Sequence, residues 1–89
     1  MTVLIDPPLW PRHGKVWGHM VSDQSLDELH ALARAAGIPA RAFDRDHYDV
    51  PAELHPTLLA LGAELLDARE LVRRLRDSGL RVTAAQRRL

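Results

Sequence analysis

Residues 2–21 read TVLIDPPLWPRHGKVWGHMV, and the way this stretch pairs with itself and its neighbours decides the fold. Thr2 to Ile5 is a β-branched run that ends at Asp6, where Pro7-Pro8 stops any strand. Residues 7–15 (PPLWPRHGK) read as an irregular loop. Val16 to Val21 reads as a second strand, with Val16, Gly18 and Met20 on one face and Trp17, His19 and Val21 on the other.

Outward from that stretch, helices alternate with short strands. Ser25-x-x-Glu28 has the form of a capping box, and Leu26, Leu29, Leu32, Ala33 and Ala36 follow at helical spacing before Gly37. Ala40 to Phe43 reads as a third strand. Val50 to Leu61 is helical in pattern, with Pro51 suited to a first turn and Pro56 expected to kink the helix or start a shorter one. Glu64-Leu65-Leu66 reads as a short buried strand. Asp67-x-x-Glu70 is a second capping box, opening a helix with Ala68, Leu71, Val72 and Leu75 in its stripe and Gly79 at its end. Thr83-x-x-Gln86 has the form of a cap for one last turn.

This order predicts a single small α/β domain over residues 1–79, with a four-stranded, mostly parallel sheet and three helices, followed by a basic tail over 80–89. In such sheets ligands gather at the carboxyl ends of the strands. Asp6 follows the first strand, Asp23 the second, 44-DRDHYD-49 the third and Asp67 the fourth, so acidic groups are expected to converge on one edge.

Within that cluster His47 and Asp49 are two apart and point the same way in extended chain. Such a pair can bind a divalent metal, or act as a base with its orienting acid. His19 is the candidate third metal ligand and Asp6 a fourth member. Histidine with carboxylate and no thiolate suits zinc, manganese or iron. A competing reading has Asp49 capping the next helix, with His47 and Tyr48 filling the core edge. His30 borders the apolar stripe of the first helix. Trp10 and Trp17 are core anchors or a platform for a base or sugar. Asp44-x-Asp46 is a weak magnesium-type pair. Phosphate loops, Gly-x-Ser-x-Gly and His-Glu-x-x-His are absent.

The 89-residue chain has room for one core and buries only about 60–65% of its unfolded surface, so it gains from a partner. The absence of cysteine excludes a disulfide scaffold, a thiolate zinc site and a cysteine nucleophile, and it fits a reducing cytoplasm. No apolar run reaches membrane length, so neither a signal peptide nor a membrane span is expected. Net charge is zero but divided: residues 68–89 carry seven arginines against Glu70 and Asp77, while residues 44–67 carry six acids against Arg45. Opposed segments of this kind favour self-association or a protein partner. Arg69, Arg73 and Arg76 share a helix face without interleaved aromatics, which speaks against single-stranded nucleic acid.

Val3-x-Ile5-Asp6, His19-Met20-Val21-x-Asp23, Glu28-Leu29-His30, His47-Tyr48-Asp49, Gly62-Ala63 and Arg69-Glu70-Leu71-Val72 occur in an order that resembles domain-of-unknown-function family 4031, a family of short bacterial and phage proteins. The resemblance runs to about Arg76. It implies that His19, His30, His47, Tyr48 and Asp49 belong to the family pattern, and it carries no activity with it. That pattern has a basic residue shortly after His-Tyr-Asp, where this chain has Glu53-Leu54-His55-Pro56, which bears against phosphate binding at that position.

The functional expectation is a ligand or metal site with His47 and Asp49 catalytic, His19, His47 and Asp49 on a divalent metal, and Asp6, His19, Tyr48 and His30 binding ligand. The site would act as a metal-assisted hydrolase on a phosphate-containing substrate, with Asp49 orienting the His47 imidazole. The alternative is a non-enzymatic interaction module built on the arginine-rich helix.

Overall fold

The computed structural model describes residues 2–83, so the turn expected at Thr83–Gln86 and most of the basic tail lie outside the described residues. Residues 3–22 form one long, interrupted antiparallel hairpin. Strands β1 (Val3–Ile5) and β2 (Trp10–Arg12) both pair with β3 (Lys15–Ser22), in the registers Val3↔Ser22 and Trp10↔Trp17. His13 and Gly14 close it as a two-residue turn with φ of 51° and 74°, the left-handed pair whose twist matches that of the flanking strands. Pro7 and Pro8 have no N–H for the ladder, so the first arm breaks between β1 and β2.

That break brings the chain close to β3. At Gly18 an added Cβ would sit 2.7 Å from the Asp6 carbonyl oxygen and 3.0 Å from Asp6 Oδ1. Glycine is required there by the near approach of backbone, since its φ is not positive.

The expected four-stranded, mostly parallel sheet is therefore corrected to six strands, mostly antiparallel. The order is β4-β5-β3-β1-β6 with β2 also against β3, and β1–β6 is the parallel pair. Parallel neighbours need a crossover, and the stretches 6–14 and 45–46 are too tight to supply one. β4 (Phe43–Asp44) and β5 (His47–Pro51) turn about Arg45, whose φ is 61°. The Asp46 N–H donates to the Asp44 carbonyl at 2.6 Å, which makes a three-residue turn of the strained, positive-φ kind.

Three expected elements change in detail. Ala40–Ala42 is a 3-10 turn, so only the end of the expected third strand is extended. Val50 and Pro51 finish β5; after a 3-10 turn over Ala52–Leu54, helix α2 spans His55–Ala60 with Pro56 in its first turn. β6 (Glu64–Leu65) is an exposed edge rather than a buried strand.

The outer helices match their expected positions. In α1 (Leu26–Ala35) Ser25 Oγ accepts the Glu28 N–H at 3.2 Å, and in α3 (Ala68–Ser78) Asp67 Oδ1 accepts the Glu70 N–H at 2.7 Å. Neither glutamate reaches back as a capping box would have it. Glu28 bonds the buried Ser22 hydroxyl, which accepts the Ser25 N–H, while Glu70 pairs with Arg73.

Period-2 alternation then splits the core between two faces. Val3, Ile5, Met20, Tyr48 and Val50 face α1 and α2 and pack on Leu29, Ala33 and Leu58. Leu4 and Val21 face α3 and pack on Leu71 and Leu75. The result is three layers, helix–sheet–helix, with Arg74 of α3 tied to Asp23 at 2.6 Å. Among the described residues no helix is long and apolar enough to cross a membrane.

Candidate metal centre

β3 and β5 are antiparallel neighbours, and His19 lies directly opposite Asp49. His47, two residues along β5, shares the face of Asp49. One donor atom from each of His19, His47 and Asp49 lies within 4.8 Å of the others, close enough to hold one metal ion. The two imidazoles meet edge to face at 5.5 Å, and His47 Nε2 is 3.1 Å from Asp49 Oδ1.

Each imidazole is held from behind by a buried carboxylate. Asp6, 2% exposed, takes the His19 backbone N–H on Oδ1 at 2.5 Å and meets His19 Nδ1 with Oδ2 at 3.0 Å. Asp46 is fully buried in the β4–β5 turn and meets His47 Nδ1 with Oδ1 at 2.8 Å. Its second oxygen accepts the Val82 N–H at 2.8 Å and lies 3.5 Å from Arg81 Nη1. With both Nδ1 atoms engaged, Nε2 is the ring nitrogen left to each histidine, and that of His47 already lies beside Asp49. Carboxylate–histidine pairs of this form fix the tautomer and raise the basicity of metal-binding histidines.

The expected residues are thus partly brought together. His19, His47 and Asp49 converge, and Asp6 stands behind His19 instead of beside it as a further ligand. Asp49 does not orient the His47 ring through Nδ1, because Asp46 occupies that atom. Nor does it cap a helix, for the turn at Ala52 and helix α2 have no side-chain cap. Tyr48 and His30 lie on the opposite face, where His30 Nδ1 meets the Tyr48 hydroxyl at 2.6 Å and Phe43 packs on both rings. Burial raises the Tyr48 pKa, with Arg34 opposing it weakly. Asp23 and Asp67 serve Arg74 and the α3 cap. The convergence arises from strand register and not from the carboxyl edge of a parallel sheet.

The roles of two contributors were not read from the sequence. Asp46 had only its spacing to Asp44, and nothing in the sequence announces the turn that aims it at His47. Arg81 follows α3 and lines a cleft of about 280 Å³ with Asp6, His19, His47 and the apolar face of α3.

His19 is held above its ordinary pKa, chiefly by the hydrogen bond to Asp6. Burial opposes this, the charges of Asp6 and Asp49 add to it, and Arg81 subtracts. A histidine with a raised folded-state pKa adds stability that is complete below about pH 6.5 and is lost as pH rises through the folded value. In metal-free buffer, Asp6→Asn should therefore cost more stability at pH 6 than at pH 8. Urea midpoints of both proteins at the two pH values check this; an equal gap would remove the His19–Asp6 contribution.

No curated protein and no solved structure matches the chain. Residues 3–78, which hold every strand and helix described above, match the family model described as "Protein of unknown function (DUF4031)", and the chain belongs to that family.

Proposed function

We propose that His19, His47 and Asp49 hold one divalent metal ion and that the domain uses it to hydrolyse a phosphate ester. The observation that carries this reading is the pair of buried carboxylates, Asp6 and Asp46, each on the Nδ1 of a different converging histidine. Metal-binding histidines almost always have such a partner on the ring nitrogen that faces away from the ion, and here two converging histidines both have one. Three protein ligands leave positions open for water and substrate, as catalytic sites do and structural ones do not. A metal there would supply a water acidified toward neutral pH and charge stabilisation at phosphorus. In the net reaction, water gives its hydroxyl to phosphorus as the ester P–O bond breaks, and its proton ends on the departing alcohol. Two histidines and one carboxylate also suit ferrous oxygen chemistry. Arg81, a cation in the same cleft, favours an anionic substrate and hence hydrolysis.

Calorimetric titration with zinc and with manganese tests the reading. Wild type should bind one ion per chain, and His47→Ala and Asp49→Asn should each weaken binding by more than the roughly 10- to 100-fold seen when a supporting residue is lost. Wild type that binds neither metal, with Asp49→Asn only slightly less stable, would overturn it.

A further inference from the structure

Beside the metal triad, the same sheet face carries a row of rings. Trp10 stacks on Trp17 at 6.1 Å between centroids and on His19 at 5.6 Å, and His19 then meets His47. The row follows from the hairpin register, which sets Trp10 opposite Trp17 on a strand face that continues to His19. Trp10, Trp17, Arg12, His13 and Asp49 line a groove of about 120 Å³. No residue of α3 lines it, so this end of the face is left uncovered by the helix that packs over Leu4 and Val21. Asp49 belongs to both the groove and the triad, so the two are continuous.

The polar groups of the row are unevenly used. The Trp17 indole N–H donates to the Arg12 carbonyl at 2.9 Å, which sets the plane of that ring. The Trp10 indole N–H is buried and has no acceptor among the described residues. An orphaned buried donor is costly. Arg12 has no ion pair among the described residues, and at the far end lies Arg81, whose guanidinium is also 3.5 Å from Asp46 Oδ2.

The geometry points to a nucleotide unit as the substrate: a phosphate ester whose phosphate lies at the His19–His47–Asp49 triad and Arg81, and whose flat base lies against Trp10 and Trp17. This rests on the metal reading for its phosphate end. The ring platform stands on separate residues. Stacking on an aromatic side chain tolerates any base, so the site selects a planar group next to phosphate and not a particular sequence.

Trp10 and Trp17 are the only tryptophans, so intrinsic fluorescence reads the platform directly. The full chain, with and without zinc or manganese, is titrated with adenosine 5′-monophosphate, ribose 5-phosphate and a short single-stranded oligonucleotide. Saturable quenching by the nucleotide is expected, with affinity roughly tenfold or more above that of ribose 5-phosphate. Trp17→Leu should remove most of that preference while leaving metal binding unchanged, and Trp17→Phe should keep it. The oligonucleotide binding more tightly than the monophosphate identifies a strand end as the source of the unit, and the reverse identifies a free nucleotide; both uphold the inference. Metal binding with equal affinity for the nucleotide and ribose 5-phosphate overturns the platform and leaves the metal reading intact. Absence of metal binding overturns the metal reading, and nucleotide quenching in metal-free protein then still upholds the platform. Neither binding nor quenching overturns both.

Discussion

Replacing Asp46 by alanine should destabilise the protein by about 3 kcal/mol, shown as a lower urea midpoint at unchanged slope. The carboxylate is fully buried and satisfies the His47 ring nitrogen and the Val82 N–H at once. Alanine would leave both part-buried groups without this partner, and each unsatisfied group costs about 1–3 kcal/mol. The exposed neighbour change Asp44→Asn should stay within about 0.5 kcal/mol, because the Asp44 pair with Arg45 lies in solvent. Asp46→Asn separates packing from charge. It keeps the volume but loses one acceptor oxygen, so it should be milder in stability while still weakening zinc binding roughly 10- to 100-fold. An Asp46→Ala midpoint equal to that of wild type would mean that the segment after α3 does not fasten the turn.

Gly18→Ala should be comparably damaging for a different reason. The new methyl would sit 2.7 Å from a backbone carbonyl, where no flexible side chain can move away. Overpacking of a buried site costs about 1–3 kcal/mol, and a contact with backbone belongs at the upper end. Because the displaced atoms belong to Asp6, the change should also shift His19 and reduce metal affinity. Thermal denaturation together with zinc titration checks both effects. A variant as stable as wild type would show that the broken first arm yields easily.

The extent to which this was legible in the sequence differs between elements. Ser25 and Asp67 were readable as helix starts because capping is local, one side chain meeting an N–H three residues on. Strand direction was not readable. It depends on His13-Gly14, which lacks the usual Asn-Gly or Asp-Gly signature, and on Pro7-Pro8, which disguise one broken arm as a strand and a loop. His47 and Asp49 shared a face by period-2 alternation in any extended model of the segment, and the same rule sends Tyr48 to the other side with His30. The meeting of His19 with Asp49 required the register between β3 and β5, and the role of Asp46 required a strained turn at Arg45. Neither is a local property of the chain.

The hydrogen bond from Val82 to Asp46 has a bearing on the order in which the molecule is made. A chain emerging from its N-terminus can pair Asp6 with His19 as soon as the first hairpin closes, since those residues are only 13 apart. The support behind His47 is finished only when a residue 36 positions beyond Asp46 has been synthesised and has come back across the sheet. An ion at this centre would therefore not template early folding. It would find its full complement of donors only in the finished domain, and saturation with metal would then raise the free energy of global unfolding by mass action rather than protect one hairpin. In hydrogen exchange, amides of β1 and α3 would slow together on metal addition, although neither element supplies a ligand.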